Sequence, residues 1–141
     1  MDAVQLAAGI AAVLLVGVAT FQAGLAAGAP WGEMSYGGRA ETADGVLPAS
    51  HRAMSAVAVV VLSLAAWIVL ARAGVVAAGP LSAGFLRGAT WFVVAYLVVN
   101  TVANLASTHP GERFGLGSVT FVAAIACSVV ARSPIDLVTS A

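Results

Sequence analysis

The 141-residue chain is 61% hydrophobic and 9% charged. About a quarter of a soluble domain is charged, so this chain cannot cover itself with polar side chains in water, and the membrane class remains. Six arginines, no lysine and six acids balance to zero without a basic run, which removes the electrostatic footprint of nucleic-acid binding.

The first apolar stretch covers residues 3–28. A bilayer core about 30 Å thick needs about 20 residues at 1.5 Å rise each, so the stretch spans. It is expected to be retained and not cleaved as a leader: its start holds Asp2 and no basic residue, and Pro30 follows the small-residue run "AAGAP". Three more spans follow at 53–71, 83–107 and 114–131, each bounded by charge, Pro or Gly. Backbone polar groups in lipid must be satisfied within the segment, so the spans are helices. The expected fold is all-α: one integral membrane domain over 1–141, a four-helix up-down-up-down bundle with a structured 24-residue loop at 29–52. The pairs "GLAAG", "GFLRG" and "GERFG" fit the small-xxx-small spacing of close helix packing or self-association. Cys127, alone in an apolar run, reads as a small buried or lipid-facing side chain.

Both termini fall on one side, A, with Arg72, Arg87 and Arg132; side B carries Arg39, Arg52 and Arg113. The arginines tie under the positive-inside rule. Glu33, Glu41, Asp44 and Glu112 on side B, against Asp2 and Asp136 on side A, tip side A towards the cytoplasm and loops 29–52 and 108–113 outwards. Absent Lys with abundant Ala, Val and Gly points to a GC-rich genome, a statement about codons.

Polar side chains inside the spans gather towards side B. Tyr96, Asn100, Asn104 and Thr108 recur every fourth residue on one face of the third span, and Gln22 reaches a similar depth on the first. An amide without a partner in hydrocarbon costs roughly 2–7 kcal/mol, so these groups must meet one another, as interhelical glue, or line a polar pocket. The long loop lies above them. Trp31 suits the membrane boundary, "YGGR" and "ADGVLP" are turn chemistry, and Ser50 stands where a helix N-cap could sit. The candidate ligand-binding residues are therefore Gln22, Trp31, Glu33, Tyr36, Arg39, His51, Arg52, Tyr96, Asn100, Asn104 and His109.

Arg39 and Arg52 read first as interface anchors, Glu33 as a salt-bridge partner for either, and His109 as a helix C-terminal cap. Two histidines with Glu33 or Glu112 lack metal-binding spacing, so no metal is expected. No nucleophile elbow, P-loop or dinucleotide fingerprint occurs, and no catalytic residue or cofactor is expected.

The pattern of "GAPWG", "YGG", "GVLP" and the following Arg and Ser resembles small four-span membrane proteins of GC-rich bacteria, over about a third of the chain. That resemblance implies a bacterial inner membrane and that the loop is the working part. In size and span count the chain also resembles DoxX-like proteins, without a motif that matches residue by residue. Three functions fit. The first is binding of a small or lipidic ligand, or a partner, at the side B pocket. The second is an accessory or scaffold subunit, as a homo-oligomer or beside another membrane protein. The third is a membrane enzyme or transporter, which would need an acid or base in the pocket or charge near mid-bilayer.

Overall fold

A computed structural model describes residues 1–134 as four α-helices and a folded connection: α1 (Ala3–Ala27), α2 (Ala49–Arg72), α3 (Ala83–Leu105) and α4 (Gly117–Arg132). Among the described residues there is no strand, only an isolated bridge between Ala43 and Val46. Asp136, counted above among the side A acids, lies outside them. Four segments are long and apolar enough to cross a membrane, the last being Gly111–Arg132. They fit a small membrane protein, with Val13, Val57, Phe92, Val99 and Phe121 on its outer surface.

Local chemistry sets the helix ends. Asp2 and Gln5 form a reciprocal capping box: Gln5 N–H donates to Asp2 Oδ1 (2.8 Å) and Asp2 N–H to Gln5 Oε1 (3.2 Å). Gly28, at φ 94°, closes α1 in the left-handed conformation. Ser82 caps α3 by accepting from Phe85 N–H. At α2 the cap position belongs to Pro48, not Ser50, and the helix begins four residues before the apolar run at 53. Proline pre-sets the φ that starts a helix, so His51 and Arg52 form its first turn although neither is apolar. The loop is correspondingly shorter than 29–52.

Consecutive helices pack as neighbours and α1 closes the ring against α4, while α2 and α3 meet most sparsely. The seams are built from alanine. Ala8, Ala11, Ala12, Ala65, Ala66, Ala123 and Ala126 are buried with Leu15, Val69, Cys127 and Val130. Three glycines of the small-xxx-small pairs do not serve these seams: a methyl group on Gly84, Gly88 or Gly115 would meet nothing within 4 Å. Gly24 serves a different purpose. Trp31 folds back over it, stacked on Phe21 at 6.0 Å, and leaves no room for a Cβ.

The α1–α2 connection is ordered by its own hydrogen bonds. It holds short 3-10 turns at Gly32–Met34 and Tyr36–Gly38. Asp44 and Gly45 both have positive φ (51° and 80°) between the bridged Ala43 and Val46, the geometry of a type I′ turn. Gly45 O accepts from Gly32 N–H at 2.8 Å, and Leu47 is buried.

Candidate functional site

The polar residues of side B converge beneath this loop, around a cavity of about 280 Å³ lined by Gln22 of α1, Asn100, Ala103 and Asn104 of α3, Ser35 to Gly37, and Glu112 and Leu116. Tyr36 is the roof. Its φ of 53° lies in a region that bulky side chains rarely adopt, and Gly37 and Gly38 continue it at 76° and 67°. The surroundings hold it there. Tyr36 Oη donates to His51 O (3.1 Å) and lies 2.9 Å from Ser55 Oγ. The phenol has one proton, so with His51 O as its acceptor, the fully buried Ser55 hydroxyl donates to it. The Tyr36 ring also meets His51 edge-on at 4.8 Å.

Glu112 forms the far wall. It sits in a π-helical turn, Gly111–Leu116, where Gly117 N–H reaches back five residues to Glu112 O. Such wide turns are rare and occur often at functional sites. The Glu112 carboxylate is buried and its hydrogen-bond donors are neutral: Ser107 Oγ–H to Oε2 (2.6 Å) and Gly37 N–H to Oε1 (3.2 Å). His109 N–H donates to Ser107 Oγ (3.1 Å), which directs the serine proton to the carboxylate. Thr108 N–H and Oγ1–H both reach Gly37 O (3.2 and 3.0 Å), tying the roof to the segment after α3.

The amides divide between packing and pocket. Asn104 Nδ2–H reaches Thr120 Oγ1 (3.4 Å), and Thr101 Oγ1 lies 2.9 Å from that same oxygen, so this group does hold α3 to α4. Among the described residues Asn100 bonds only its own helix, through one Nδ2–H to Tyr96 O (2.8 Å). Gln22 Oε1 is buried without a hydrogen-bond donor among the described residues.

Several expected members stand elsewhere. Trp31 covers the outer face of α1, and Tyr96 lines an apolar groove between α2 and α3, below the polar cavity. The face shared by Tyr96, Asn100, Asn104 and Thr108 breaks at its ends, because α3 stops at Leu105 and Thr108 turns to the loop. Arg52 caps a helix: its Nε–H donates to Ala26 O (3.1 Å) at the negative end of α1. Glu33 and Arg39 are exposed and outside the cavity lining. His51 supports Tyr36 from outside, and His109 Nδ1 accepts from Gly111 N–H (3.0 Å), opening the π turn instead of ending α3. Ser35, Gly37, Ser55, Ser107 and Glu112 complete the site and were not among the candidates. One signal did mark Glu112: it is the only acid next to the fourth span.

Comparisons with family models, with curated proteins and with solved structures find no match to this chain.

Proposed function

We propose that this chain is a multi-pass protein of a bacterial inner membrane that binds a small ligand in the side B chamber, with Tyr36 as the roof and Gln22, Asn100, Asn104 and Glu112 as the polar wall. Side A, with both termini, faces the cytoplasm. One observation carries the reading: an orphaned buried acceptor, Gln22 Oε1, and a buried carboxylate share one polar cavity of about 280 Å³. An unpaired buried polar atom such as Gln22 Oε1 costs about 1–3 kcal/mol, and the carboxylate has neutral hydrogen-bond donors but no cation in the cavity lining.

Native mass spectrometry of protein gently extracted from its own membrane tests this. The wild type is expected to retain a small molecule that Asn100→Leu loses while keeping its helicity and melting temperature. A wild type that never carries a small molecule, in the intact membrane extract or after reconstitution, counts against the reading.

The second reading, an accessory subunit, is favoured by the sparse α2–α3 seam. There an apolar groove of about 520 Å³ includes Val61, Leu64, Gly84, Phe85, Gly88 and Phe92. Co-purification of a stoichiometric membrane partner that Gly88→Leu releases would support it.

A further inference from the structure

We infer that the chamber selects a small monovalent cation bearing N–H donors, a short primary ammonium; this rests on the chamber being a ligand site. Its polar wall is one-sided in charge: Glu112 is the one charged residue that lines it. Asn100 Nδ2 is committed to Tyr96 O, a carbonyl that can only accept. The amide is thereby oriented, leaving Oδ1 and the second Nδ2–H free. Asn104 Nδ2 is likewise committed to Thr120 Oγ1, whose own proton has carbonyl acceptors at Leu116 (2.9 Å) and Gly117 (3.2 Å). Gly37 N–H and Ser107 Oγ–H are already given to Glu112. The amides keep both oxygens and N–H groups free, but the strongest unmet groups are acceptors: Gln22 Oε1, without a donor among the described residues, and the remaining lone pairs of a carboxylate, the one charged group in the lining.

No arginine lines the chamber. Arg52 donates to Ala26 O, and Arg113 lies over the Phe114 ring at 5.5 Å. A buried carboxylate without a cation is costly. An anion would add repulsion, and a ligand that only accepts would leave Gln22 unmet. An –NH₃⁺ group supplies three donors and the missing charge together. Ala103, Leu116 and the Tyr36 ring offer contact for a short alkyl chain, and about 280 Å³ holds one with water beside it. The same ammonium chemistry exists free and on phosphatidylethanolamine headgroups.

Calorimetry on the full chain in phosphatidylcholine nanodiscs, titrated with butylammonium, butanol, butyrate and sodium chloride, tests the charge selectivity. Butylammonium is expected to bind saturably and at least about tenfold more tightly than butanol, the size of one charge-assisted hydrogen bond. Glu112→Gln should erase that preference. Gln22→Leu should weaken butylammonium binding several-fold while raising thermal stability, because it removes the unmet oxygen; a purely structural role would lower both together. Adding phosphatidylethanolamine to the discs separates the sources. A weaker apparent butylammonium affinity marks competition by the headgroup, an unchanged one marks a free amine, and both support the inference. Equal or tighter binding of butanol, butyrate or sodium overturns the ammonium inference and leaves the chamber standing as a ligand site. Binding of none of the four, together with no small molecule retained from the native membrane, overturns both.

Discussion

The two halves of the bundle share hydroxyl back-bonding within helices but differ in what joins the helices. In the side A half, polar side chains are few and mostly settle within their own helices: Ser63 Oγ donates to Val59 O (2.7 Å), Thr90 Oγ1 to Leu86 O (2.7 Å) and Ser128 Oγ to Ala124 O (2.8 Å). Such back-bonding satisfies a hydroxyl in lipid without another helix. The space between helices is then filled by alanine, leucine and valine. The exception is the buried Arg72, which donates through Nη2 to the carbonyls of Ser133 and Pro134 beyond α4 while its Nε and Nη1 find no acceptor among the described residues. The side B half instead gathers polar groups from several elements around one cavity, leaves Gln22 Oε1 without a donor among the described residues, and covers them with a folded loop. Under the proposed function, one half holds the molecule together and the other meets the ligand.

That contrast can be broken, and the largest effect is expected in the packed half. Leu15 is 1% exposed in the alanine seam. Leu15→Ala should cost about 2–5 kcal/mol of unfolding free energy, seen as a lower melting temperature in detergent with ligand affinity unchanged in the protein that remains folded. A comparable loss of affinity would mean that the halves are not separable.

Gly32→Ala is next. A Cβ there would lie 2.7 Å from Gly45 O and 2.9 Å from both Leu47 Cγ and Thr42 Cγ2. The loop must open, at about 1–3 kcal/mol. Amide exchange should speed up across residues 32–47 while the helices stay protected; exchange rising equally in α1 and α2 would show that the loop is part of the bundle's stability.

Tyr36→Phe should act less on stability, by about 1 kcal/mol. It leaves His51 O and the buried Ser55 hydroxyl without their partner. Ligand dissociation should accelerate at nearly constant melting temperature. An unaltered dissociation rate would remove Tyr36 from the roof.

The smallest effect belongs to Arg39→Ala. Arg39 is exposed and outside the chamber lining, so stability should stay within about 0.5 kcal/mol and binding should not move. A clear loss of affinity would place the ligand above the loop instead of beneath it.

The spans were legible because burial in a bilayer acts on composition over about 20 residues at a time, a scale that one-dimensional reading averages well. The Gly-rich turns were legible for a related reason, since a positive φ demands a particular residue at one position. Gln22, Asn100, Asn104 and Tyr36 were identifiable as polar groups out of place among apolar neighbours. Glu112 escaped the candidate set because it stands outside the apolar run, at a boundary where an acid is ordinary. Only the π-helical turn and the contacts from Ser107 and Gly37 bring it inwards. Trp31 and Arg52 were visible as interface residues, but their targets, Gly24 and the end of α1, belong to an element that sequence distance does not assign.

What the sequence determined by itself is the number of helices, their apolar character and the presence of polar groups at one end, because each follows from the cost of placing a residue type in lipid. What the tertiary structure decided is which of those polar groups satisfy one another. Asn104 joins α4 through Thr120, Asn100 turns to its own helix, Gln22 is left unmet and Glu112 comes inside. Hydrogen bonds are settled at about 3 Å and by angle, and a difference of one helical turn or one left-handed residue changes every partner.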